Sequence, residues 1–213
     1  LLVPNGSPYH TRQHGLRRAQ VDARTRETGL PVVYVNRVGG QDELVFDGAS
    51  FVVDASGALA QQVPAWHETV ALARFDGPVP SHVRGALDPA LEPHVYDALV
   101  MGVRDYVGKN RFPGVLLGLS GGVDSALTLA VAVDALGPDR VRALMLPSQY
   151  NAAISLADAR EMAALVGVRY DEMPIGPVFS AFLETLAPEF RGLPADTTEE
   201  NIQARIRGTL LMA

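Results

Sequence analysis

Cysteine is absent from all 213 residues, and that absence removes three chemistries at once. Within these residues there can be no disulfide, no thiolate metal site and no cysteine nucleophile. Long hydrophobic runs are also missing. None approaches the roughly 20 apolar residues of a membrane-spanning helix, so no membrane partner is expected and the cytoplasm is the expected compartment. Positive charge is outnumbered: 18 Lys and Arg stand against 24 Asp and Glu, a formal net charge of -6 and a pI near 5.3. A broad nucleic-acid surface needs clustered Lys and Arg, so nucleic acid is not an expected partner. The histidines at 10, 14, 67, 82 and 94 show no metal-ligand spacing, and surface or turn positions are expected for each. Trp66, the single tryptophan, and Tyr96 read as packing residues. No repeats or low-complexity tracts occur.

The composition that remains is that of an ordinary globular protein, 47% hydrophobic and 20% charged with mean hydropathy +0.10. Its length permits one large domain or parts of two. Residues 74–93, RFDGPVPSHVRGALDPALEP, hold four prolines with little periodicity and read as a linker between a domain over 1–73 and another over 94–213. Most of the excess negative charge lies after it. In the first part, Leu1 to Val3 should be a strand that ends at the turn formers Pro4 to Pro8. Residues 12–28 are helical in pattern, with Leu16, Ala19 and Ala23 on one side and Arg17, Arg18, Arg24 and Arg26 largely on others. Arg17 and Arg18 read as a solvated helix face or an inter-subunit contact, and Gly29 closes the helix. Residues 31–36 are β-rich, 38–42 turn the chain, and 44–46 and 50–53 extend before a turn at 54–57. A strand, a helix and then several strands fit part of an α/β sandwich.

The second part alternates regularly. A helix over about 95–107 precedes a strand at 115–119, a helix at 124–136 and a strand at 141–146. Ser155, with Asp158 three residues on, starts a helix through Val166, and 168–173 is a further strand. Strands separated by single helices imply right-handed crossovers and a parallel sheet, with ligands at the carboxyl ends of the strands. Thr197 and Glu200 are expected to form the capping box of a last helix. At the end of the first of these strands stands Gly118-Leu119-Ser120-Gly121-Gly122-Val123-Asp124-Ser125. Adjacent glycines let backbone N–H groups approach a phosphate, and the following helix points its positive end there. The serines can donate hydrogen bonds, and Asp124 can reach a phosphate-bound magnesium ion. Two glycines alone would equally serve a plain turn; the strand, loop and helix context favours pyrophosphate binding.

The segment LGLSGGVDS, Leu117 to Ser125, resembles the signature of the PP-loop ATP pyrophosphatases, which cleave ATP between the α- and β-phosphates and adenylate a substrate oxygen. The low positive charge disfavours the tRNA-modifying members. Thr198 to Gly208, TEENIQARIRG, and the stretches Leu146 to Tyr150 and Ser155 to Ala159 resemble glutamine-dependent NAD synthetases. Spacing alone would make Glu200, Asn201 and Arg205 a solvated, ion-paired helix face. Val3 to His10, the Arg-rich helix, 31–42 and 46–51 look like the later portion of a nitrilase-type glutaminase domain. The resemblance implies an α/β fold: the C-terminal part of a nitrilase-like sandwich, then the N-terminal part of a Rossmann-like parallel-sheet domain. It implies amidation of deamido-NAD to NAD with ATP, magnesium and glutamine or ammonia, by a homo-oligomer. Residues 118–125 would bind ATP, Asp124 the metal, Asn201 and Arg205 deamido-NAD, and Ser7 and Gln13 glutamine. At 13 many relatives carry a basic residue. The family's glutaminase Glu, Lys and Cys would lie upstream of Leu1, so the chain is expected to be a piece of a longer protein, inactive by itself. The alternatives are another PP-loop ATP pyrophosphatase or amidotransferase, and a catalytically incomplete nucleotide-binding fragment.

Overall fold

Two short runs, Leu2–Asn5 (β1) and Val32–Asn36 (β2), pair in parallel, and the 16-residue helix Gln13–Thr28 (α1) connects them. The computed structural model describes every residue except 84–89, 149–152, 193 and 195, and it divides into two units, Leu1–Arg111 and Phe112–Ala213. The expectations for Gln149 and Tyr150 lie outside the described residues.

In the first unit the alternation of β2 buries Val32 and Tyr34 while Val35 stays half-exposed, as period-two side chains on a one-sided sheet do. Val32 and Tyr34 join Val21, Phe51 and Val53 in one cluster, with Tyr34 stacked on Phe51 at 5.0 Å. Helix α1 turns inward a different face from the one suggested by Leu16, Ala19 and Ala23. Arg17, Val21 and Thr25 are buried at i, i+4 and i+8, whereas Leu16 is 50% exposed. Alanines contribute little burial, and the polar members of the buried stripe are satisfied: the Thr25 hydroxyl donates to the Val21 carbonyl at 3.0 Å, and Arg17 is paired as described below. Gly29 ends the helix at φ +65°, its N–H donating to the Thr25 carbonyl.

Residues 38–42, expected as a turn, are mostly strand. Val38–Gln41 (β3) and Leu44–Asp47 (β4) form an antiparallel hairpin, with the reversal at Asp42 and Glu43 and Asp42 at φ +51°. Phe51–Val53 (β5) and Leu59–Gln62 (β6) complete a sheet of order β1-β2-β5-β6. The turn between them is locked by Asp54, which accepts from the N–H groups of Ser56 and Ala58. Within 74–93 the chain makes a small ribbon, Phe75–Asp76 (β7) with Val79–Pro80 (β8), and the helix Leu91–Lys109 (α2) starts earlier than its apolar period suggested. His94 on α2 is buried at 7% exposure, contrary to the surface position expected of it, because the Trp66 indole N–H donates to its Nδ1 at 2.8 Å. Trp66 itself packs with Ala98 and Met101 as expected.

Helix α2 is also pinned to β3. The Gly40 N–H donates to the Asp105 carboxylate at 2.6 Å, and the Lys109 ammonium donates to the Gly40 carbonyl. Burial opposes ionisation of Asp105, but the Gly40 N–H together with Arg104 and Lys109 outweighs it and holds the carboxyl below its usual range. A depressed carboxyl stabilises the fold above its unfolded value and loses that contribution as pH falls through the folded one. Asp105→Asn is therefore expected to lower Tm near neutrality, with the gap to the wild type closing below about pH 4. A gap constant with pH would reject the assignment.

The second unit alternates as the sequence indicates: Val115–Gly118 (β9), Val123–Leu136 (α3), a 3-10 turn at Pro138–Arg140, Val141–Met145 (β10), Ala153–Val166 (α4) and Arg169–Glu172 (β11). The strands lie in the order β11-β10-β9, all parallel. Alternation along β10 sends Val141 and Ala143 toward Leu129 of α3 and Ala159 of α4, and Leu144 to the other face. There it meets Phe179 of a helix not read from the sequence, Gly176–Leu186 (α5), and Ile206 of Thr197–Met212 (α6). The capping box of α6 lies one residue before the pair expected. Asp196 accepts from the Thr198 N–H and Glu199 accepts from the Asp196 N–H, because the short Asp side chain at the N-cap reaches the first turn better than Thr197 does. Among the described residues no helix is long and apolar enough to cross a membrane.

Candidate functional site

Strand β9 delivers Gly118 to the edge of the sheet, and Leu119, 1% exposed, anchors the chain by donating its N–H to the Leu144 carbonyl at 3.0 Å. The loop that follows is held open by its own serines. Ser125 Oγ accepts from the Ser120 N–H at 3.2 Å, lies 3.1 Å from Ser120 Oγ and donates to the Gly122 carbonyl at 2.9 Å. Gly121 adopts φ +80° against the first turn of α4. Gly122 is the N-cap of α3 and supplies no side-chain cap. The first-turn N–H groups of a helix have no intrahelical partner and carry its positive dipole end, so this turn is built to receive an anion. Asp124 is exposed in that turn, and among the described residues nothing pairs with its carboxylate.

Beside the loop opens a cleft of about 330 Å³, lined by Gly118, Leu119, Ser120, Leu144 to Leu146, Arg207 and Leu211. Arg207, which sequence reasoning did not single out, donates from Nε to the Leu146 carbonyl at 3.0 Å, and burial lowers its pKa. Its signal was present in the period: Gln203, Arg207 and Leu211 recur every four residues on one face of α6. Asn201 and Arg205 occupy the exposed face of the same helix, with Arg205 donating to the Asn201 carbonyl at 3.2 Å. Residues 118–125 form one contiguous loop, and neither Asn201 nor Arg205 lines the cleft beside it. Among the described residues no group of three or more acidic or histidine side chains suits a metal.

In the first unit the structure does join Ser7 and Gln13. Gln13 Nε2 donates to Ser7 Oγ at 2.9 Å, and Arg17 Nε donates to the same oxygen at 3.0 Å. Arg17 is no solvated helix face. Its side chain is 2% exposed and forms a two-pronged pair with Asp47, fully buried on β4, at 2.7 and 2.9 Å. Arg17 Nη2 donates to the carbonyls of Ser7 and Pro8. Asn36 closes the cluster, its Oδ1 accepting the Ser7 N–H and its Nδ2 donating to the Ser7 carbonyl. Arg18, expected beside Arg17 in solvent, lies over the Phe51 ring at 4.7 Å. Asp47 follows an apolar run as a strand's last residue, and the four-residue step from Arg17 to Val21 to Thr25 marks the inner face; read together they would have indicated a buried ion pair.

The NAD synthase family matches residues 95–213 and the carbon-nitrogen hydrolase family residues 6–79. A glutamine-dependent NAD(+) synthetase of Acinetobacter baylyi is 45% identical over 214 residues, covering all of this chain and 40% of that protein. One from Xylella fastidiosa is 46% identical over 220 residues, again covering 100% of this chain and 40% of the relative. The solved glutamine-dependent NAD+ synthetase of Acinetobacter baumannii, in complex with adenosine diphosphate, matches with a TM-score of 0.94 at 47% identity, over 99% of this chain and 40% of that one. The chain thus spans about two fifths of the length of these relatives.

Proposed function

We infer, from the premise that the chain belongs to the NAD synthase family, that the protein amidates deamido-NAD to NAD with nitrogen from glutamine and energy from ATP. One observation carries the reading: a pyrophosphate-type loop runs into an uncapped helix N-terminus at the end of a parallel strand, in a chain whose earlier residues match the carbon-nitrogen hydrolases.

A carboxylate is a poor acylating agent, so it is activated first. Its oxygen attacks the α-phosphorus of ATP, pyrophosphate leaves, and ammonia then displaces AMP from the acyl-adenylate. Residues Gly118 to Ser125 would hold the pyrophosphate through backbone N–H groups and the Ser120 and Ser125 hydroxyls. The exposed carboxylate of Asp124, unpaired among the described residues, has the hard oxygen donors that magnesium takes, and the ion would neutralise charge on the departing group. Asn201 and Arg205, exposed on α6, would contact deamido-NAD. Ser7 and Gln13 would contact glutamine. The parts implied are a glutaminase domain over 1–73, a linker over 74–93 and a synthetase domain over 94–213. Cytoplasmic residence and homo-oligomeric assembly are proposed on the family resemblance alone.

The full-length protein supplied with amide-15N glutamine, deamido-NAD and ATP should yield 15N-labelled NAD with AMP and pyrophosphate in equal amounts. Release of ADP and phosphate, or unlabelled NAD only, would overturn the reading.

A further inference from the structure

The guanidinium of Arg17 makes five hydrogen bonds, and all three of its nitrogens are engaged. Nε reaches Ser7 Oγ, the two Nη1 bonds go to the two oxygens of Asp47, and the two Nη2 bonds go to the carbonyls of Ser7 and Pro8. With the side chains of Arg17 and Asp47 at 2% and 0% exposure, this cation cannot touch a ligand. It acts on Ser7 instead. A hydroxyl oxygen accepts through two lone pairs, and both are occupied at Ser7, by Arg17 and by Gln13. The Ser7 N–H and carbonyl are also taken, by Asn36 and Arg17. What Ser7 retains is its hydroxyl hydrogen, polarised by a buried positive group behind it. Gln13 Nε2 has a second hydrogen beside it, unassigned among the described residues. Both residues are half-buried, so the site presents two neighbouring donors and no competing acceptor on the Ser7 hydroxyl, the pattern that a carboxylate fits.

We propose that Arg17, clamped by Asp47, is the positioning residue that makes Ser7 an obligate donor, so that Ser7 and Gln13 together read the α-carboxylate of the amide substrate. The proposal rests on the glutamine reading above and adds which end of glutamine is read and what fixes the reader. Lysine at 17 would keep the charge but has three donors and no fork. It cannot hold Asp47, two carbonyls and Ser7 Oγ at once. Glutamate at 13 would leave the Arg17 and Asp47 pair intact, accept the Ser7 hydrogen and repel an anion.

The test uses the full-length protein and two amides, glutamine and its α-carboxamide derivative, with ammonia-dependent synthesis followed in parallel. The wild type should prefer glutamine through KM. Arg17→Lys and Gln13→Glu should each raise KM for glutamine roughly tenfold or more, as expected for loss of hydrogen bonds to a charged group. They should leave kcat within about twofold, barely change KM for the α-carboxamide, and preserve ammonia-dependent synthesis. A structural role for Arg17 would instead depress both amides equally. Equal loss on both amides in Gln13→Glu, or a fall in kcat at unchanged KM, overturns the proposal; that variant decides the matter even where Arg17→Lys fails to fold. A wild type that hydrolyses both amides with the same KM also overturns it while leaving the glutamine reading standing. A wild type that hydrolyses neither overturns both.

Discussion

Replacing Asp124 by alanine in the full-length protein is expected to abolish NAD formation with glutamine and with free ammonia alike, while glutamine hydrolysis continues. The split follows from where the residue sits. Asp124 lies in the first turn of α3, exposed and unpaired among the described residues, so no fold-stabilising contact is lost with its carboxylate. The favourable placement of a negative charge at a helix N-terminus is worth about 0.3 to 1 kcal/mol at an exposed site, which bounds the expected loss of stability. The chemical cost is larger. Charge stabilisation of the kind a phosphate-bound cation supplies amounts to several kcal/mol, and each 1.36 kcal/mol is a factor of ten in rate. A loss of about a thousandfold in synthesis with Tm nearly unchanged is therefore the expected pair of results. Ammonia-dependent synthesis at the wild-type rate would remove Asp124 from the site and put the loop's role in doubt.

The loop could be read from the sequence because each of its requirements is local. A β-rich run, adjacent glycines, two hydroxyls and an apolar helix follow one another within about a dozen residues, and the structure keeps them contiguous from β9 to α3. The regular alternation of 115–173 gave the parallel sheet for the same reason, since its strands and helices are long enough to show their periods. The Ser7 cluster was only half legible. Ser7 and Gln13 come from resemblance, but the side chain that fixes them reads as a solvated face or an inter-subunit contact, because Arg17 owes its burial to Asp47, 30 residues away on another element. No period in α1 announces a partner on β4. His94 escaped in the same way: its burial depends on the indole of Trp66, 28 residues distant. Capping boxes, by contrast, are local but allow a register error of one residue, and the shift from Thr197 and Glu200 to Asp196 and Glu199 is of that kind. Residues 38–42 show the opposite failure. Two glycines suggested a turn, yet Gly39 and Gly40 sit in strand β3, opposite Phe46 and Val45, where a close approach to α2 rather than a chain reversal calls for small residues.

Gly121→Ala is expected to be as damaging to synthesis as loss of Asp124, by a different route that a stability measurement separates. At φ +80° an L-residue with a Cβ is disfavoured, a strain on the order of 1 to 3 kcal/mol. Space is the harder constraint. A Cβ at this position would lie 2.2 Å from the Ser155 carbonyl oxygen and 2.8 Å from the Ser155 carbonyl carbon and Cα. These are backbone atoms in the first turn of α4, so no side-chain rotation relieves the clash, and either the loop or the start of α4 must move. The neighbouring position supplies the control: at Gly122, with φ -90°, an added Cβ meets only Ser120 Oγ, at 3.4 Å, an ordinary contact. Gly121→Ala should thus lower Tm clearly and eliminate ATP-dependent synthesis with either nitrogen donor, Gly122→Ala should keep Tm near the wild type, and both should spare glutamine hydrolysis. Equal Tm for the two variants would mean that the loop does not press against α4, and the N–H groups that it offers to pyrophosphate would then have to be held in place by the ligand rather than by the fold.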